Sequence, residues 1–137
     1  MAAFVMNNAY VMVNVVDLSD HVKQVRLNYA SELQDNTAMS NLARSRTPGL
    51  LDVTCDVDFE QDFASAKVDA TMFGLIGAAA FAVKVRADAG AIAADNPEFQ
   101  FNAVLESYQP VGGSVGALAM TTAALRGTTI VTRDVTP

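Results

Sequence analysis

The sequence is poor in the side chains that catalysis and metal binding usually need. Its 137 residues include one cysteine, one histidine and no tryptophan. Because Cys55 stands alone, an internal disulfide framework is excluded. A Cys/His metal site or a Ser-His-Asp triad would have to depend on His21 alone. No nucleophile–base pair or carboxylate dyad stands out, so we expect a protein that is not an enzyme and uses no cofactor.

Positive charge and long apolar runs are also scarce. The chain has 9 lysines and arginines against 15 acidic residues, a net charge of −6. Proteins that bind nucleic acid normally carry a basic patch, so phosphate binding as the main task is disfavoured. The longest apolar run, residues 75–83, has nine residues, whereas a membrane helix needs about 20. The first basic residue is Lys23, so a signal peptide is not indicated. We expect a soluble, unprocessed chain that binds no membrane.

The composition that remains favours a β-rich domain with a true core. Hydrophobic residues make up 51% of the chain, which excludes intrinsic disorder. Seventeen valines against ten leucines favour strands over helices. The length suits one domain over residues 1–137.

The clearest pattern is strict alternation over residues 51–60. Apolar side chains fall on one side and polar ones on the other, the polar ones being Asp52, Thr54, Asp56, Asp58 and Glu60. A period of two predicts a half-buried strand with Cys55 in its apolar face. The strand has no cation to offset its four carboxylates, and each step of two residues along it covers about 6.6–7 Å. That spacing forms a row rather than a metal cage. A solvated face is the favoured interpretation, ahead of a functional acidic surface and of metal binding.

Shorter alternations predict further strands near residues 11–15, 25–29, 81–87 and 99–106. Only one segment indicates a helix, over about residues 63–75. Asp62 is a good N-cap for it, and apolar residues recur at helical spacing from Val68 onward. We expect this lone helix to flank the sheet.

Residues 31–49 have no periodicity and predict a long loop. The segment is polar apart from Leu33, Met39 and Leu42, and it contains Arg44 and Arg46. A loop this long inside a compact domain is usually functional or disordered. His21, at a predicted strand entry, is interpreted as a structural turn residue rather than a catalytic base.

Several stretches, in order and spacing, resemble the tail-tube (major tail) proteins of long-tailed, siphovirus-type bacteriophages, in the small single-domain version of actinobacterial phages. They are residues 16–22 (VDLSDHV), 43–50 (ARSRTPGL), 58–63 (DFEQDF), 68–70 (VDA) and 107–116 (SYQPVGGSVG). The resemblance covers roughly residues 16–133. It implies a mainly β, β-sandwich tail-tube fold with one flanking helix. It also implies six subunits per ring and rings stacked into a hollow tube.

The resemblance further implies roles and partners. The tube would surround a tape-measure protein, meet tail-tip or baseplate and tail terminator proteins, and conduct double-stranded DNA without binding it specifically. The protein would be made in the host cytoplasm and located in the virion tail. Candidate residues are Asp52, Asp56, Asp58 and Glu60 for the lumen lining; Met39, Leu42, Arg44 and Arg46 for an inter-ring loop; and Lys84 and Arg86 for contacts within a ring.

The main alternative is a β-sandwich module of a phage baseplate that binds a receptor or carbohydrate. Such modules usually present aromatic side chains at their binding surface. Here there is no tryptophan, there are only three tyrosines, and most phenylalanines alternate toward the predicted core. Within the structural class, a tail terminator or the tube of a contractile machine is also open. A terminator would stop at one ring.

Overall fold

The computed structural model describes residues 5–136, and its regular secondary structure is mainly β-strand. The strands are β1 (Tyr10–Val13), β2 (Val16–Asp17), β3 (Val22–Asp35), β4 (Arg46–Glu60), β5 (Phe81–Arg86), β6 (Glu98–Tyr108), β7 (Met120–Gly127) and β8 (Thr132–Asp134). The expectation of a mainly β fold is confirmed. The strands predicted near residues 11–15, 25–29, 81–87 and 99–106 correspond to β1, β3, β5 and β6.

All eight strands belong to one antiparallel sheet. Seven of them follow the order β2-β1-β5-β6-β7-β4-β3, and β8 pairs with the start of β6. Residues of the edge strand β3 line one apolar cavity together with residues of β5 and β6. Because β7 and β4 lie between β6 and β3 in the strand order, the sheet must curl to bring them together. The inner face of the sheet therefore packs against itself. In this way one continuous sheet produces the two layers expected of a sandwich.

The alternation predicted for residues 51–60 is present in β4. Val53, Cys55, Val57 and Phe59 are buried in the core. Matching residues of β1, β5, β6 and β7 complete the core: Val11, Val13, Phe81, Val83, Val85, Phe101, Ala103, Leu105, Ala123 and Leu125. Burial raises the pKa of the Cys55 thiol to about 12, so this cysteine is a core residue with little thiolate at neutral pH.

The predicted helix is shorter than expected. The α-helix α1 spans Val68–Met72, and a 3₁₀ helix follows at Phe73–Leu75. Residues 63–67 are not helical, because Asp62 stabilises a turn instead of the helix. Its Oδ1 accepts a hydrogen bond from the Ala64 amide at 2.9 Å, and its carbonyl accepts the Asp69 amide. The helix still covers the sheet through buried Val68, Met72 and Leu75.

The prediction of a loop over residues 31–49 is wrong for nine of those nineteen residues and holds for residues 36–45. Residues 31–35 continue β3 and residues 46–49 begin β4, and the two strands pair from Ser31–Leu51 to Asp35–Arg46. β4 pairs with β7 only from Thr54 onward. Residues 30–52 therefore form a two-stranded arm that projects beyond the sheet, and residues 36–45 form the tip loop that joins its strands.

A tight turn between β1 and β2 contains backbone strain. Asn14 and Val15 both have positive φ, 49° and 68°. Asparagine tolerates this region, whereas a β-branched residue in it is an outlier.

We expect Val15→Gly to stabilise the fold by about 0.5–1 kcal/mol, after the entropy cost of glycine is subtracted. Thermal unfolding checks this; Asn14→Gly is the near-neutral control, and a destabilised Val15→Gly variant would contradict the expectation.

Candidate assembly surfaces

The arm exposes apolar side chains that the subunit does not cover. Leu33 on β3 and Leu50 and Leu51 on β4 are all at least half exposed. Leu50 and Leu51 also line a shallow concave surface with residues 30–32 and Asp52. A two-stranded ribbon alone is marginally stable in water, and exposed apolar surface marks contact sites. The arm therefore has the properties of a surface that another chain covers.

The tip loop presents two fully exposed apolar side chains, Met39 and Leu42. Its base is fixed by hydrogen bonds within the loop. The Asn36 amide donates to the Ser45 carbonyl at 2.9 Å, and the Ser45 amide donates to Thr37 Oγ1 at 2.7 Å. These bonds shape a base from which Met39 and Leu42 point into solvent.

The two arginines predicted for this loop differ in their surroundings. The Arg44 guanidinium lies 2.6 Å from the Asp35 carboxylate. Arg46 is the first residue of β4 and pairs along the ladder with Asp35. The structure brings Met39, Leu42, Arg44 and Arg46 together at one end of the subunit.

The acidic row of β4 lies on the outer face of the sheet, as the alternation predicts, but cations of other strands offset part of its charge. Lys23 Nζ lies 2.6 Å from Glu60 Oε1. Arg126 Nη1 lies 3.4 Å from Asp56, and Arg26 is the ladder partner of Asp56 on β3. Although residues 51–60 contain no cation of their own, cations of β3 and β7 therefore compensate part of the row.

Two carboxylates of the row have no ion-pair partner among the described residues. Among residues 5–136, neither Asp52 nor Asp58 has a basic group within salt-bridge distance. Asp58 accepts a hydrogen bond from Thr122 Oγ1 at 2.9 Å. The outer face of β4 is thus mildly acidic, because cations pair with some of its carboxylates and not with others.

Lys84 and Arg86 are neighbours on the outer face of β5, yet only one of them is available to another chain. The Arg86 side chain is 13% exposed and lies 3.6 Å from Glu98, whose side chain is 6% exposed. Its guanidinium also stacks on the Tyr10 ring, 4.0 Å from the centroid. The Arg86 side chain therefore makes its contacts within its own subunit and is not available to another chain. Lys84 is half-buried but keeps access to solvent.

His21 connects the chain before β3 to the turn after β4. Its Nδ1 lies 2.8 Å from Asp20 Oδ1 and its Nε2 lies 2.8 Å from Asp62 Oδ2. Lys67 Nζ approaches the same Asp20 at 3.5 Å. The hydrogen bond to Asp20, and then that to Asp62, raise the pKa of His21. This geometry agrees with the interpretation of His21 as a structural residue.

We expect the His21 contacts to make stability depend on pH. The folded state binds the imidazole proton more tightly than the unfolded state, so the stabilisation is complete below about pH 6.5 and is lost as pH rises through the higher folded pKa. His21→Gln should remove this decline. Urea unfolding between pH 5.5 and 8.5 checks the prediction, and identical slopes for parent and variant would contradict it.

An apolar groove at the end of the subunit opposite the arm was not predicted. It has a volume of about 460 Å³ and is lined by Phe73, Ile76, Ser107, Tyr108 and Pro110. Phe73, within the predicted helix, and Ile76, just after it, are exposed. The signal that could have revealed it is the excess of apolar residues over residues 72–76 beyond what one helix face can bury.

Two negative findings bear on other kinds of site. Within residues 5–136, no three His, Cys, Asp or Glu side chains are grouped so that they could hold a metal ion. No helix in this described part is long and apolar enough to cross a membrane.

Comparison with solved structures identifies the fold. No protein-family model and no curated protein matches the chain. A chain in the virion of a native gene transfer agent particle superposes with a TM-score of 0.74 at 14% identity, over 96% of this chain and 98% of that one. The sheath/tube terminator structure of the extracellular contractile injection system PVC gives 0.73 at 11% identity, over 98% of both chains. The SPP1 tail tube gives 0.70 at 7% identity, over 93% of this chain and 76% of that one.

These likenesses extend over nearly the whole chain at low sequence identity. They show that the chain has the fold of tail-tube and tube-terminator subunits. The predicted resemblance to tail-tube proteins is confirmed at the level of the fold.

Proposed function

We propose that this protein is the structural subunit of a hollow phage tail tube, built from rings of six copies stacked head to tail. The observation that carries the proposal is the likeness to the SPP1 tail tube, over 93% of this chain, combined with an arm that leaves apolar side chains uncovered at one end. The protein has a structural role and no catalytic step.

The open sheet supports ring formation. β3 is a 14-residue edge strand, and within the described part of the chain no strand pairs with its outer side. A long unpaired edge promotes aggregation unless another chain covers it. If neighbouring subunits pair edge to edge around a ring, the sheets close into one wide barrel, and barrels of 16–18 strands already enclose an aqueous channel. Lys84 is our candidate for an added contact within the ring.

The arm supports stacking. A contact that joins rings along an axis must be heterologous, so that it propagates without closing. The arm is suited to this role because it projects past the sheet and presents Met39, Leu42, Arg44 and Arg46 at its far end. We therefore assign it to the contact between rings.

The outer face of β4 is our candidate for the lumen lining, with Asp52, Asp56, Asp58 and Glu60 facing the channel. Carboxylates repel phosphates over about 8 Å at physiological salt, so an acidic wall lets duplex DNA slide without adhering. The tube would form around a tape-measure protein, join tail-tip or baseplate and terminator proteins, and conduct DNA from the virion tail.

Charge reversal at the two carboxylates without ion pairs tests this lining. We expect tubes of Asp52→Lys/Asp58→Lys, assembled with short duplex DNA, to retain nuclease-resistant DNA that added salt releases. Parent tubes should retain none. The control is Asp88→Lys/Asp95→Lys, which changes net charge equally at exposed positions between β5 and β6. Retention by the control alone, or by neither variant, would contradict the lumen assignment.

A tube terminator is the second candidate. The superposition on the terminator structure of the contractile injection system extends over 98% of both chains. The two functions differ in the size of the assembly. A tube subunit forms particles whose mass grows with concentration, whereas a terminator stops at one ring. Sedimentation velocity across a concentration series therefore tests the proposal, and a single species of ring size at all concentrations would favour the terminator.

A further inference from the structure

The arm and the apolar groove lie at opposite ends of the same strand. β4 begins in the arm at Arg46 and ends at Glu60, and a 15-residue strand spans about 50 Å at about 3.4 Å per residue. The chain after Glu60 reaches the groove directly, because Gln61 Nε2 donates to the Pro110 carbonyl at 2.7 Å. Copies related by translation along this strand therefore bring the arm of one to the groove of the next.

The groove is shaped before anything binds it. The Tyr108 hydroxyl donates to Asp69 Oδ1 at 2.9 Å and accepts from Gln61 Nε2 at 3.0 Å. Burial raises the pKa of Tyr108 to about 12, so the phenol stays protonated and keeps donating at neutral pH. Phe73 and Ile76 form the outer wall and are exposed in the isolated subunit. A rigid apolar groove loses little conformational freedom when it is filled.

We propose that this groove receives the tip loop of a second copy, with Met39 and Leu42 as the inserted side chains. This inference rests on the proposed tube function and names the surface that accepts the arm. Met39 and Leu42 are the apolar residues of the tip loop that are left fully exposed, so a groove with apolar walls is the chemistry that matches them.

Charge complementarity supports the same pairing. Residues 36–46 contain two arginines and no acid, although Arg44 is paired with Asp35 in its own arm. Residues 58–72, which flank the groove, contain four acids and one lysine, although Glu60 is paired with Lys23 and Asp62 with His21 in the same subunit. Opposite charges at the two ends favour head-to-tail encounter and disfavour two arms or two grooves meeting.

Disulfide cross-linking in assembled tubes tests the contact. The variant Leu42→Cys/Ile76→Cys places one thiol on the tip loop and one in the groove, and native Cys55 stays buried. Two cysteines bond only when their Cα atoms lie within about 7 Å. Under mild oxidation we expect a ladder of covalent multimers from tubes and none from dilute monomer. The control is Leu42→Cys/Ile130→Cys, since Ile130 is exposed and follows β7 at the arm's end of the subunit.

The outcomes separate the two claims. Tubes that form without a ladder overturn the groove as the acceptor and leave the tube function standing. Parent protein that forms no tubes under any condition counts against the tube function and against the groove with it. A ladder of equal strength from the Ile130 control also overturns the assignment.

A second pair of variants gives an answer if the cysteine variants assemble poorly. Phe73 and Phe63 are matched in type and exposure, at 66% and 65%, but only Phe73 lines the groove. We expect Phe73→Ser to fold and lose tubes while Phe63→Ser keeps them. Tubes of normal length from Phe73→Ser overturn the proposal.

Discussion

Replacement of residues 31–51 by Asn-Gly is expected to leave a folded subunit that forms no tubes. The replacement closes β3 onto β4 directly after the Ala30–Asp52 pair, and Asn-Gly suits the two-residue turn that such a hairpin needs. Residues 31–51 contribute nothing to the core, so the subunit keeps its buried side chains. Tube formation should fall below detection because the head-to-tail contact is removed. Circular dichroism of the purified variant checks that it folds, and negative-stain microscopy checks that it forms no tubes.

A milder variant separates the apolar tip from the arm as a whole. Met39→Ser/Leu42→Ser keeps the arm and its hydrogen bonds but removes the two large apolar side chains that the tip loop exposes. We expect it to raise the protein concentration needed for assembly by at least about tenfold, since two lost methionine- or leucine-sized contacts are worth about 1.5–3 kcal/mol each when fully buried. For the variant that lacks residues 31–51, tubes of normal length would refute the role of the arm in stacking.

Arg86→Ala is expected to lower the stability of the subunit by about 3–5 kcal/mol, because it leaves the Glu98 carboxylate buried without its countercharge. For a domain of this size the midpoint of thermal unfolding should fall by roughly 10–20 °C. Among residues 5–136, the hydrogen bond from Gln100 Nε2, at 2.6 Å, is what the Glu98 carboxylate would retain. The stacking of the guanidinium on Tyr10 is lost as well. Calorimetry of parent and variant measures the change.

Two further variants give this prediction its controls. Lys84→Ala changes a cation on the same strand and face, and should alter stability by no more than about 0.5 kcal/mol. Arg86→Met/Glu98→Leu removes both charges and should recover much of the loss, since a buried ion pair contributes little over well-packed apolar residues. An Arg86→Ala variant as stable as the parent would show that the pair is dispensable and that Arg86 is available for contacts between subunits.

The elements that could be predicted are those whose pattern is local. The alternation of β4 is visible because its neighbours bury every second residue, so period and burial coincide over residues 53–60. The arm could not be predicted this way. Leu50 and Leu51 are both exposed on a ribbon that has no core beneath it, and without a buried face the period of two disappears.

The surroundings of the candidate residues depend on contacts between residues far apart in sequence. Asp56 and Arg126 are 70 residues apart, and the partners of Arg86 come from β1 and β6. The spacing of Lys84 and Arg86 along β5 does not reveal which side chain is paired within the subunit and which is free to contact another chain. Pairing across strands is decided by register, which the sequence of a single strand does not reveal.

Negative-stain electron microscopy of the purified parent protein at high concentration tests the central claim most directly. The account predicts hollow tubes of variable length with a constant diameter and a regular repeat along the axis, and six-fold symmetry in end views. Monomers, or closed rings that never stack at any concentration or salt condition, would contradict the proposal that this chain is a subunit of a tail tube.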